Sequence, residues 1–167
     1  MNGVSKSYAM TGWRIGYGAA TKEIIKAMAK LQSQSTTNPS SISQAAAVEA
    51  LNGNQDFMLK RNQTFKERRD FVVETLNKIE GISCLKPNGA FYVFPNCLKF
   101  LNKKDKTGKI IKNDSDFVNS LLENYQVAVV QGSAFGLEGY FRISYAISMD
   151  NLKKALDRIS NFCKSLN

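Results

Sequence analysis

Residues 140 to 147 form the cleanest two-residue alternation in the chain. Phe141, Ile143, Tyr145 and Ile147 fall on one side, and Tyr140, Arg142, Ser144 and Ala146 on the other. A period of two is the signature of a strand with one face on a core, and a strand needs neighbours. Two other short segments also read as strands. Phe91 to Phe94 follows a Pro-Asn-Gly turn, and Val127 to Val130 follows a segment whose apolar face is Phe117, Leu121 and Tyr125.

The rest of the pattern is helical. Ile24, Ile25, Met28 and Leu31 share one face of a helix that starts near Lys22, after an expected strand over residues 13 to 20. Ser41 with Gln44 reads as a capping box opening an alanine-rich helix that runs to about Leu51 and stops at Gly53. Met58, Phe65, Val72, Leu76 and Ile79 recur at helical spacing over residues 56 to 80, and Gly81 ends that run. A last helix opens at Asp150 and buries Leu152, Leu156, Ile159, Cys163 and Leu166. Helices first, then a small sheet with helices, is an α/β layout with an α+β second part. The opening strand and loop have no preceding partner, which gives the chain the look of a piece of something larger.

Composition removes several functions. No histidine occurs among the 167 residues, so Ser-His and Cys-His nucleophile systems and histidine metal ligands are excluded within this chain. No metal site is expected. Cys84, Cys97 and Cys163 lack disulfide or metal-ligand spacing and read as reduced packing residues. No apolar run approaches the roughly 20 residues that span a bilayer, and the first residues lack a signal peptide's apolar stretch. The expected setting is the cytoplasm. The net charge of +9 raises the question of nucleic acid, but the densest lysine cluster, Lys99 to Lys112, has no interleaved aromatic platform and reads as a solvated polar loop.

Residues 2 to 18 read Asn-Gly-Val-Ser-Lys-Ser-Tyr-Ala-Met-Thr-Gly-Trp-Arg-Ile-Gly-Tyr-Gly. As bare residues, a Ser-Lys pair and a glycine-flanked arginine fit any buried strand. As a continuous stretch they resemble the lysine motif of class I, fold-type I aminotransferases of the aspartate aminotransferase kind, which use pyridoxal 5'-phosphate. The resemblance makes Lys6 the Schiff-base lysine and Arg14 the cation that holds the cofactor phosphate. Eight extended residues would span roughly 26 Å, so Met10-Thr11-Gly12 must turn the chain back if both are to meet one small cofactor. Some relatives have a serine phosphate ligand three residues before the lysine; here that position is Gly3.

The same resemblance covers the remaining chain. Phe141-Arg142-Ile143-Ser144 is similar to the family's strand carrying the arginine that grips the substrate α-carboxylate, a task suited to a planar fork. Pro87-Asn-Gly-Ala-Phe-Tyr92 is similar to the segment entering the small-domain sheet, and Gly132-Ser-Ala-Phe-Gly136 to a loop near the substrate, with Gln131 where a proline is expected. Phe91 and Phe135 fit the lining of the site and core packing equally well. The resemblance implies residues 1–52 as a C-terminal remnant of the large cofactor-binding domain, with its last strand and long helix, and residues 53–167 as the small C-terminal domain: an incomplete fold. It implies transamination of an amino acid, L-aspartate first, with 2-oxoglutarate, in a homodimer. No arginine occurs between Ser33 and Ser41 for a distal carboxylate. The partner of the pyridine nitrogen and the ring-stacking aromatic would belong to an N-terminal half, encoded with this chain or separately. The alternative is a catalytically inactive fragment with at most a binding role.

Overall fold

The computed structural model describes residues 1–167 as two compact units, Met1–Lys60 and Arg61–Asn167. No helix is long and apolar enough to cross a membrane.

The first unit opens with β1 (Asn2–Gly3), which pairs antiparallel with β2 (Gly16–Tyr17) in the register Asn2 with Tyr17 and Gly3 with Gly16. The strand expected over residues 13 to 20 is therefore only two residues long. Thr11–Trp13 forms a 3-10 turn instead, and Arg14 closes it in the left-handed conformation. Helices α1 (Lys22–Ser33) and α2 (Ser41–Asn52) follow. The capping box is not formed: Ser40 is the residue before the first turn of α2, with no side-chain cap, and the Gln44 amide donates to the Pro39 carbonyl at 2.9 Å. The helix begins one residue earlier than a box on Ser41 requires, so Ser41 is its first helical residue and not its cap. Val4 and Ala47 are buried in this unit, whereas Ile24, Met28 and Leu31 along α1 are exposed. The apolar face of α1 is real, but nothing in this unit covers it.

Helix α3 (Asp56–Asn77) contains the division between the units. It ends three residues before the expected Glu80. The Asn77 side chain takes the Cys84 backbone as partner, accepting from its N–H and donating to its carbonyl at 2.9 Å each. The intervening turn passes through Gly81 at φ 91°, where an added Cβ would stand 2.7 Å from the Phe100 ring. Only glycine fits there on both counts.

The second unit contains an antiparallel sheet in the order β3 (Tyr92–Val93), β5 (Phe141–Ser144), β4 (Val130–Gln131). The alternation that marks β5 is realised: Phe141, Ile143 and Tyr145 are buried, and Arg142 and Ser144 face the other way. Ile147 departs from it and is exposed, because the chain leaves the sheet there for Ser148, whose hydroxyl caps α5 (Met149–Ser165) by accepting from Asn151 N–H at 3.3 Å. Helix α4 (Asp114–Tyr125) is capped in the same way by Asn113. The core centres on Phe117, whose ring meets Phe141 at 5.1 Å and Phe162 at 5.0 Å between centroids. All five expected α5 residues are buried, and Phe162 joins them.

The lysine-rich loop is more ordered than a solvated segment need be. Asp105 is buried under it. One carboxylate oxygen accepts from Thr107 N–H, Thr107 Oγ and Lys109 N–H, and the other from Ser120 Oγ at 2.6 Å and Asn124 Nδ2 at 3.3 Å. Burial by itself would raise the Asp105 pKa, but these hydrogen bonds to the charged form outweigh it and hold it at about 2.

Candidate active site

Lys6 sits on a tight turn between the paired strands of the first unit. The Val4 carbonyl, on a buried residue, accepts from Tyr8 N–H at 3.2 Å and Met10 N–H at 3.4 Å, and the Lys6 carbonyl accepts from Ala9 N–H at 3.1 Å. Tyr8 anchors the far side of the turn: its hydroxyl donates to Gln55 Oε1 at 2.9 Å and its ring meets Phe57 edge-on. The lysine side chain lies on the exposed side. A backbone this constrained fixes the point from which the amine extends.

Arg14 stands on the returning arm. Its backbone is left-handed at φ 51°, a conformation that costs an L-residue roughly 1 kcal/mol or more. Its Nη1 donates back to the Thr11 carbonyl at 2.8 Å. The required reversal is thus made by the 3-10 turn at Thr11–Trp13, and the ladder of Gly3 with Gly16 closes the loop that carries Lys6 and Arg14. Gly3, at the position where some relatives have serine, packs closely on the opposite strand: a Cβ would stand 3.4 Å from Gly16 Cα and the Ile15 carbonyl.

Arg142 belongs to the second unit, on the central strand β5. Its guanidinium carbon lies over the Tyr92 ring at 4.4 Å and over the Phe135 ring at 4.2 Å. Phe135 of the two phenylalanines considered is the one against the arginine; Phe91 packs on Phe65 and on Tyr92. Tyr92 escaped sequence reasoning, yet register contains it. Tyr92 pairs with Ser144, so it is the diagonal neighbour of Arg142 on the same sheet face.

Two networks place these rings. Arg69 and Lys86 both reach Asp70 at 2.8 Å, and Arg69 also donates to the Pro87 carbonyl, pinning the segment that leads into β3. Hydrogen bonds from Arg69 and then Lys86 hold the Asp70 pKa at about 2. On the other side, Gly132 opens the turn bearing Phe135, and a Cβ there would lie 2.2 Å from the Leu137 carbonyl. The next residue, Ser133, donates its N–H to the buried Asp114 carboxylate at 2.6 Å.

The paired strands thus put Lys6 and Arg14 on one closed loop. Arg142, on the central strand, has its guanidinium carbon over two aromatic rings. The family model for class I and II aminotransferases matches residues 1–159, and the chain belongs to that family.

Among its relatives, the aspartate aminotransferase of Rhizobium meliloti strain 1021 is 58% identical over 99% of this chain and 40% of its own length. A Rickettsia typhi protein described as "Probable aspartate/prephenate aminotransferase" is 56% identical over 99% of this chain and 42% of its own. The crystal structure of the Rhizobium meliloti aspartate aminotransferase superposes with a TM-score of 0.94 at 58% identity, covering 99% of this chain and 42% of that one. The chain therefore spans about two fifths of the relatives it matches, and its mixed helix and small-sheet structure is part of the aminotransferase fold.

Proposed function

We propose that this chain supplies the lysine, a phosphate-binding arginine and the substrate-carboxylate arginine of a pyridoxal-phosphate-dependent aminotransferase. In this reading residues 1–52 are the end of the large cofactor-binding domain and residues 53–167 the small domain. The observation that carries it is the reversal between Lys6 and Arg14, closed by the pairing of Gly3 with Gly16. When bound, the cofactor supplies an electron sink for the carbanion formed at the substrate α-carbon.

The protein's own groups do the rest. Arg14 neutralises the phosphate, so the cofactor is held at its charged end. Arg142 grips the α-carboxylate through two parallel N–H bonds and sets the amino acid's orientation. Lys6, once its amine is released, takes the proton from the α-carbon and returns it on the cofactor side, as a general base then acid.

L-Aspartate with 2-oxoglutarate as acceptor is the leading substrate pair. The names of the relatives support the first; the second follows from the family resemblance alone. Residues beyond this chain's two fifths would complete the site, either in one longer polypeptide or as a separate N-terminal half, within a cytoplasmic homodimer. The test is to mix the chain with pyridoxal phosphate, reduce with borohydride and map the adduct by mass spectrometry, alone and with the complementary N-terminal half. Modification of Lys6 is expected. An adduct confined to other lysines under both conditions would overturn the assignment.

The competing reading is an inactive fragment with a binding role, favoured by the exposed apolar face of α1. Transamination restored by the complementary half would remove it. No turnover, despite association of the halves, would leave it standing and sink the enzymatic one.

A further inference from the structure

Phe135 is a large apolar side chain left 48% exposed, so core burial does not account for it. Its neighbours are specific. It meets the Phe94 ring edge-on at 6.0 Å, Phe94 itself stacks on Tyr140 at 5.8 Å, and its own face lies 4.2 Å from the Arg142 guanidinium carbon. Tyr92 takes the same arginine at 4.4 Å from the neighbouring strand. The position of Phe135 is fixed from below: Asp114, 1% exposed, accepts from Ser133 N–H at 2.6 Å, two residues before the ring, and the turn closes tightly on Gly132.

We propose that Phe135 and Tyr92 are positioning residues that clamp the Arg142 guanidinium, leaving its N–H edge to meet a carboxylate, and that Asp114 sets the Phe135 side of the clamp. All five guanidinium donors lie in the plane of the group. Rings set against its two faces would consume no donor. An arginine held this way presents its fork to a planar anion in the same plane, which is the geometry of a bidentate carboxylate. An unclamped arginine would have to be immobilised by each ligand that binds, at a cost to affinity. The ligand part of the proposal rests on the reading of Arg142 as the carboxylate-binding residue; the clamp itself does not.

The test uses the full 167-residue chain with 15N-labelled arginine. The Arg142 Nε–Hε signal, assigned by its loss in Arg142→Lys, should lie upfield of those of solvent-exposed arginines because of ring currents. Phe135→Leu and Tyr92→Leu should each remove part of that shift, Phe135→Tyr should retain it, and Asp114→Ala should alter it without touching Arg142. Succinate titrated into the parent should perturb the same signal saturably. Its affinity should fall roughly 2- to 10-fold in Phe135→Leu, with recovery in Phe135→Tyr and an unchanged thermal midpoint. A parent signal at the exposed-arginine position, or one that Phe135→Leu does not move, overturns the clamp. A ring-shifted parent signal that succinate leaves unmoved overturns the carboxylate reading of Arg142 and the ligand half of the proposal. Should Asp114→Ala fail to fold, the Phe135 and Tyr92 variants decide the matter.

Discussion

Arg14 is bonded twice to one carbonyl: its backbone N–H and its Nη1 reach Thr11 O at 3.5 Å and 2.8 Å. The bonds hold the arginine in a left-handed conformation that glycine would adopt without penalty. Arg14→Gly is therefore expected to be more stable than Arg14→Ala by about 1 kcal/mol, since both lose the Nη1 bond and only alanine keeps the strain. Urea denaturation followed by circular dichroism reads the difference. Equal stabilities would mean the chain does not hold φ 51° in solution. On the proposed reading of Arg14 as the phosphate-binding cation, both variants should also bind pyridoxal phosphate more weakly.

Replacing Arg142 with lysine keeps the charge and removes the planar fork. In enzyme completed by its N-terminal half, Arg142→Lys should lower kcat/KM for aspartate roughly 10- to 100-fold, the worth of one charge-assisted hydrogen bond. Steady-state kinetics checks it. An unchanged kcat/KM would move the carboxylate site away from Arg142.

The Asp105 hub should matter for stability and not for chemistry. Asp105→Ala strands the buried Ser120 hydroxyl and two backbone N–H groups, and about 3 kcal/mol of stability should be lost. The pH sign follows from a carboxyl pKa depressed from 3.8 to about 2 on folding. Its contribution is complete above pH 4 and fades as pH falls through the folded value near 2. The stability difference between parent and Asp105→Asn should shrink across that window in urea titrations at pH 5, 3 and 2. A difference independent of pH would show that the charge plays no part.

Burial pushes the Cys84 thiol to about 11 and those of Cys97 and Cys163 to about 12. At pH 8 iodoacetamide should leave all three unmodified in the folded chain and label them in urea, as read by mass spectrometry. Rapid labelling of Cys97 without denaturant would mean that the second unit opens readily.

The two kinds of residue that matter here were not equally legible. The motif from residue 2 to 18 singled out Lys6 and Arg14 by resemblance, and the span between them called for a reversal if both are to meet one small cofactor. The way the chain reverses did not: a 3-10 turn capped by a left-handed arginine breaks local preference, and propensity cannot foresee a conformation maintained by a side chain bonding its own turn. Asn77 likewise ended α3 early by pairing with Cys84, a partner seven residues away. Asp105 was hidden among lysines because its five donors come from a loop and from a helix that only folding brings beneath it.

The sequence by itself determined the family and the strand around Arg142, because each is written in contiguous residues whose types and order carry the signal. Only the tertiary structure decided what stands against Arg142. Tyr92 and Phe135 lie 50 and 7 residues from it along the chain, and strand register and the Asp114-anchored turn, not local spacing, bring their rings to 4.4 and 4.2 Å. The reason is physical: periodicity reports which way a side chain faces, whereas what it meets depends on pairing between segments that the chain's local preferences leave unspecified.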